Sequence, residues 1–167
     1  MNEKRDGAGK RLLGWFGSTR AGAWTIINVG SAVDRRLIRA SGGKLNMTFA
    51  WPCLLLKTTG AKTGKERTIP LLYLRDGDNF VLIASRGGNR RHPAWYVNLR
   101  ANPEVEIFVD GETVKCTASD AVGEERDRLW EKAVGVYDGY EKYRKRAGER
   151  EIPVVVLRPE RFSKPSA

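Results

Sequence analysis

The chain has 167 residues, 41% of them hydrophobic, and a net charge of +10; these values suit one domain with a core of ordinary size. Its two cysteines, Cys53 and Cys116, belong to no C-x-x-C pair, so neither a zinc site nor a disulfide framework is expected and a reducing cytoplasm suits them. The longest uncharged N-terminal stretch, residues 21–33, is interrupted by Gly22 and Gly30 and falls short of the about 20 apolar residues a membrane span needs. It also starts too late for a signal peptide, with Asp34-Arg35-Arg36 where a small-residue cleavage site belongs.

The charge is unevenly spread. Residues 1–67 hold 13 Lys and Arg against 4 Asp and Glu, whereas residues 68–167 hold 17 against 16. The excess lies in an N-terminal arm and one loop, a distribution that attracts a polyanion: nucleic acid, an anionic membrane, or a multiply charged cofactor.

In chain order, residues 1–20 read as a basic, mobile arm, and residues 21–167 as a single domain. A helical region runs to about Arg39 and ends at Ser41-Gly42-Gly43. Strands are expected around residues 52–58 and 68–74. Arg75-Asp76-Gly77-Asp78 then turns the chain into a strand over residues 80–84. Ala94 to Ala101 reads as a short helix entered through Pro93 and stopped by Asn102-Pro103. Strands over residues 105–109 and 113–118 flank Asp110-Gly111, a strong hairpin signal. Residues 124–136 form a charged helix with Leu129, Trp130 and Ala133 on one side, and a second helical piece carries Tyr137, Tyr140 and Tyr143. Residues 152–157 are apolar throughout and close the pattern as a central strand. About six strands in mostly hairpin order favour an α+β fold, a small and mostly antiparallel barrel with flanking helices, over a parallel dinucleotide-binding sheet.

Two glycine-punctuated basic loops follow strand-like runs: Gly60-Ala-Lys-Thr-Gly-Lys-Glu-Arg67 and Ser85-Arg-Gly-Gly-Asn-Arg-Arg-His-Pro93. Arg, Lys and unencumbered backbone N–H groups bind phosphate or carboxylate oxygens, and Gly lets the backbone approach them. No G-x-G-x-x-G follows a strand. The first loop has three residues between its glycines instead of the four of a P-loop, and Glu66 stands where Ser or Thr should ligate magnesium. His92 is the only histidine, so neither a metal site nor a hydrolytic triad has a basis.

Leu54-Leu-Leu-Lys-Thr-Thr-Gly-Ala-Lys-Thr-Gly64 with Arg67, Pro70-Leu-Leu-Tyr-Leu-Arg-Asp-Gly77, Ala84-Ser-Arg-Gly-Gly88, His92-Pro-Ala-Trp-Tyr96 with Asn98-Leu99, Ala101-Asn-Pro103 and Arg150-Glu-Ile-Pro-Val154 together resemble the deazaflavin-dependent nitroreductase family. The resemblance runs from about Pro52 to Arg158. It implies a split β-barrel that binds coenzyme F420, an 8-hydroxy-5-deazaflavin, and passes hydride from its reduced form to a nitroaromatic, quinone or enone. It also implies that Lys62, Thr63, Gly64 and Arg67 hold the cofactor's phosphate and acidic tail. Ser85, Arg86 and Gly87 form the loop that meets the cofactor, Pro93, Ala94 and Trp95 begin the helix behind it, and Tyr73 lines the site. Tyr137, Tyr140 and Tyr143 match aromatic residues covering the substrate side and, with Ser85, are candidate proton donors. Ala61 stands where the family often has Arg, and Arg86 where Lys is common.

Other readings remain open at this stage. An FMN-dependent enzyme, or a non-catalytic flavin- or haem-binding protein, uses the same barrel. Tyr140 and Tyr143, three residues apart, equally fit a helix face packed on the barrel. A nucleic-acid binder lacks interleaved aromatics and a recognised module. The expected partner is a small-molecule acceptor, met by a monomer or homodimer in the cytoplasm. Lys4, Arg5, Lys10, Arg11 and Arg20 beside Leu12, Leu13, Trp15 and Phe16 have the composition of a segment that touches an anionic membrane.

Overall fold

A computed structural model describes residues 52–160. The expected basic arm, and the helical region that follows it, lie outside these residues. The elements run β1 (Cys53–Thr59), β2 (Glu66–Leu72), β3 (Leu74–Asp76), β4 (Asn79–Ile83), α1 (Ala94–Ala101), β5 (Glu104–Val109), β6 (Glu112–Asp120), α2 (Gly123–Val136), α3 (Gly139–Ala147) and β7 (Val154–Pro159). All strand pairs are antiparallel, in the order β2-β1-β5-β6-β7-β4-β3.

That order forces the sheet to curl. β2 and β3 lie at opposite ends of it, yet only Tyr73 separates them in sequence, so the two edges must come together. The Tyr73 N–H donates to the Pro52 carbonyl at 3.2 Å, where the β1–β2 ladder ends at Cys53↔Leu72, and the next residue already pairs with β4. The single strand expected over residues 68–74 is therefore two, which makes seven strands instead of about six. Arg75 helps close the barrel by lying over the Phe80 ring at 3.7 Å and pairing with Asp110 at 3.5 Å.

Side chains alternate across each strand and build two cores. Leu54, Leu56, Phe80, Leu82, Val105, Ile107, Val155 and Leu157 point into the barrel, and α1 plugs it with Trp95 and Leu99. Val81, Ile83, Val154 and Val156 point outward against Leu129, Trp130 and Ala133 of α2 and the tyrosines of α3. β4 from Phe80 and β7 as far as Leu157 are buried on both faces, which is why residues 80–83 and 154–157 are apolar throughout. β7 lies between β6 and β4, the central place its composition predicts, but starts at Val154 because Pro153 has no N–H to give to a ladder. Asp110 and Gly111 both have positive φ, 52° and 87°, as a two-residue hairpin requires.

Candidate active site: two basic loops joined by a short helix

The first basic loop is the β1–β2 hairpin connection. Gly60 bonds Lys65 in one direction and Gly64 in the other: its N–H reaches the Lys65 carbonyl at 2.9 Å, and its carbonyl takes the Gly64 N–H at 2.8 Å. A Cβ on Gly60 would lie 2.8 Å from Thr63 Oγ1, so the turn is too tight for a side chain. Gly64 has open space around it but a φ of +64°, a conformation glycine adopts without strain.

Helix α1 fixes this loop from the side. Asn98 accepts the Ala61 N–H at 3.1 Å through Oδ1 and donates to Thr58 Oγ1 at 3.2 Å. One turn later, Asn102 donates to the Thr59 carbonyl at 3.4 Å. These two asparagines were not among the expected site residues, although both stand in the motifs that carry the family resemblance, Asn98 on α1 and Asn102 at its C-cap.

The second loop leaves β4 at Ser85 and enters α1 at Pro93. Arg86 and Gly87 form a left-handed pair with φ of 50° and 63°, after Ser85 in the right-handed region. Such a right-then-left sequence makes neighbouring N–H groups converge into an anion-binding concavity. The Arg86 side chain donates to the His92 carbonyl at 3.1 Å, and Gly88 packs so tightly on α3 that a Cβ would sit 2.6 Å from the Tyr143 carbonyl. Ser85 is buried, and its hydroxyl makes no hydrogen bond among the described residues, leaving it available as a donor.

Helix α1 therefore joins the loops, with the second at its N-terminus and the first near its end, about 12 Å apart for eight residues. At 100° per residue, Ala94, Val97 and Ala101 share its outer face; Ala94 and Ala101 are exposed, and Val97 is 50% exposed. Trp95 is buried behind that face and meets Tyr96 edge-on. Tyr73 is half-buried, tilted against Phe80 with centroids 5.5 Å apart, and burial raises its phenol pKa.

The two loops concentrate basic side chains. Lys62, Lys65, Arg67, Arg86, Arg90 and Arg91 make no ion pair among the described residues; Lys115, Lys145, Arg146 and Arg150 make none either, while Lys57, Arg75, Arg100, Arg126, Arg128, Lys132, Arg144 and Arg158 do. Exposed cations without acidic partners at both ends of an open helix face fit an elongated, multiply anionic ligand, and the Arg86–Gly87 amides fit its carbonyl or anionic oxygens.

Tyr137, Tyr140 and Tyr143 sit elsewhere, in the outer core between α2, α3 and the sheet. They are 6–7% exposed, the hydroxyls of Tyr137 and Tyr143 lie 3.0 Å apart, and burial raises all three pKa values. α3 reaches the second loop through the Gly88 contact, so the tyrosines support that loop from behind. A cavity of about 610 Å³ lies on the opposite side of α1 from Ala94 and Val97, lined by His92, Tyr96, Asp120, Arg126 and Arg150 among others. There the Tyr96 hydroxyl and Arg100 both donate to Asp120 Oδ2 at 2.8 Å. No group of three or more His, Cys, Asp or Glu side chains among the described residues could hold a metal, and burial pushes the Cys116 thiol up to about 11, leaving it inert.

A curled antiparallel sheet with two cationic loops flanking one helix is a split-barrel architecture. Residues 32–159 match the model of the F420H(2)-dependent quinone reductase family, to which the chain belongs. An F420H(2)-dependent quinone reductase of Mycobacterium tuberculosis is 43% identical over 126 residues, spanning 72% of this chain and 84% of the relative. A solved F420-H2 dependent reductase, FDR-A, superposes with a TM-score of 0.59 at 38% identity, over 64% of this chain and 93% of its own. A second solved structure, a domain-swapped dimer, gives 0.61 at 33% identity over 75% and 94%. The cofactor is F420, and the FMN alternative finds no support in these relatives.

Proposed function

We propose that the protein uses reduced F420 to reduce a quinone-type acceptor, with Lys62, Lys65 and Arg67 holding the anionic tail and the Arg86–Gly87 amides holding the ring end. The observation that carries this reading is the gathering of exposed cations without acidic partners, Lys62, Lys65 and Arg67 in one loop and Arg86, Arg90 and Arg91 in the other, at both ends of the exposed Ala94-Val97-Ala101 face. Reduced F420, when bound, supplies the hydride. The chain's own residues would orient and shield: exposed Ala94, backed by buried Pro93 and Trp95, would offer a rigid apolar surface to the cofactor, so that reaction distance is set by binding rather than by collision. Ser85, at the junction of β4 and the second loop, is the side chain placed to hydrogen-bond the oxygen on which negative charge develops.

A quinone with a lipid tail resides in a membrane. Among the described residues no helix is long and apolar enough to cross one. The basic and aromatic composition of residues 1–20 supports contact of that arm with an anionic membrane surface, where such an acceptor is met. Nitroaromatics and enones, electron-poor and planar, are expected as slower acceptors. The test is single-turnover oxidation of F420H2 by a soluble quinone, a nitroaromatic and an enone, followed by the return of oxidised-cofactor absorbance. Oxidation of F420H2 no faster with enzyme than without it, for every acceptor, overturns the proposal.

A further inference from the structure

We infer that Arg150 is a positioning residue that orients the second basic loop so that the backbone N–H groups of Arg86 and Gly87 face the cofactor. Its guanidinium is the hub of that loop. Nη2 donates to the Ser85 carbonyl at 2.7 Å, Nε to the Asn89 carbonyl at 2.8 Å, and Nη1 to the Ala84 carbonyl at 3.3 Å. Nη1 also lies 3.3 Å from His92 Nδ1. Arginine is only ever a donor, so Nδ1 is the acceptor and the His92 proton sits on Nε2. One side chain thus ties the loop's beginning, middle and end to the segment before β7.

The consequence follows from the planar trans peptide, whose C=O and N–H point in opposite directions. The Ser85 carbonyl is drawn inward by Arg150 and by the Gly88 N–H at 3.0 Å, so the Arg86 N–H of the same peptide points outward. The Arg86 carbonyl accepts the Asn89 N–H at 3.2 Å, which turns the Gly87 N–H the same way. Neither outward N–H has a hydrogen-bond partner among the described residues, while Arg86 is exposed and Gly87 half-buried. A non-glycine residue at φ 50° is held there only when its surroundings over-determine it, and the Arg150 contacts supply that constraint. Lysine offers a point charge instead of the planar fork and cannot reach three carbonyls at once. The cofactor-facing part of the inference rests on the function proposed above; the clamp itself does not.

The experiment compares wild-type protein with Arg150→Lys and Arg150→Ala by amide exchange without cofactor and by fluorescence titration with F420. Both variants should exchange the Gly88 and Asn89 amides faster while the β1–β5 ladder keeps its protection. Both should bind F420 about tenfold more weakly, as expected on losing an oriented donor pair. Guanidinium ion at non-denaturing concentration should restore slow exchange and affinity to Arg150→Ala, and ammonium ion should not, a rescue that a general folding defect would not show. Unchanged Gly88 and Asn89 exchange in folded Arg150→Lys overturns the clamp with the cofactor reading intact. Faster exchange with undiminished F420 affinity overturns the positioning role, and failure of the wild-type protein to bind F420 refutes the cofactor reading itself.

Discussion

Replacing Lys62 and Arg67 with alanine separates cofactor binding from folding, because neither side chain supports the fold. Lys62 makes no hydrogen bond or ion pair among the described residues, and the only such contact of Arg67 is with its neighbour's carbonyl at 3.5 Å. Glu66, the nearest acid in sequence, is engaged by Lys57 at 2.7 Å. Unfolding free energy should therefore change by no more than about 0.5 kcal/mol. A hydrogen bond to a charged group contributes about 1.5–3 kcal/mol, and exposure to water places these residues around or somewhat below the lower end of that range. A loss of about 1–2 kcal/mol each corresponds to an about five- to thirtyfold rise in the F420 Kd. The double variant should lose at most the sum, since both residues face one ligand. The contribution should also fade with salt as the Debye length falls from about 10 Å at 0.1 M to about 3 Å at 1 M, so wild type and variants converge. Fluorescence titration of F420 at several salt concentrations, with thermal unfolding in parallel, measures all of this. Unchanged Kd values in both single variants at low salt would falsify the assignment of this loop to the cofactor.

Gly88→Ala should destabilise the protein by about 1–3 kcal/mol, because a Cβ there meets the Tyr143 carbonyl at 2.6 Å and φ is +78°; an unchanged denaturation midpoint would contradict the packing described. Tyr143→Phe removes one member of a buried hydroxyl pair at 3.0 Å and should lower stability by about 1–2 kcal/mol without altering F420 affinity. Undiminished stability combined with slower acceptor reduction would instead give these hydroxyls to the acceptor. His92 is held below its ordinary pKa of 6.5 by burial and then by Arg150, so the unfolded chain takes up a proton more readily than the folded one. Its contribution to stability is full above pH 6.5 and is lost as pH falls through the lower, folded value. His92→Asn should flatten the acid side of a denaturation-midpoint profile, and an identical profile argues against that account. Full-length protein should co-sediment with anionic liposomes at moderate salt more than a chain starting after Arg20; equal partitioning removes the arm from the membrane.

Local chemistry made much of this protein legible in its sequence. The Asp110-Gly111 hairpin, the doubly apolar strands at residues 80–84 and 154–157, and the charged helix bearing Leu129, Trp130 and Ala133 follow from backbone preference and side-chain alternation, which act within a few residues. The two basic loops were visible for the same reason, as were the ordered motifs that point to the family. What sequence could not show was which groups satisfy one another across distance. The division of residues 68–74 at Tyr73 depends on a carbonyl at Pro52 and on where β4 lies. Tyr137, Tyr140 and Tyr143 read as cover or as packing until the fold placed them behind the second loop, in the outer core. Asn98, Asn102 and Arg150 stand in the ordered motifs, but the sequence does not tell what they hold, because their work is to hydrogen-bond backbone atoms far away in the chain. Only tertiary structure brings such carbonyls to one guanidinium, and only then does the orientation of the Arg86 and Gly87 amides become fixed.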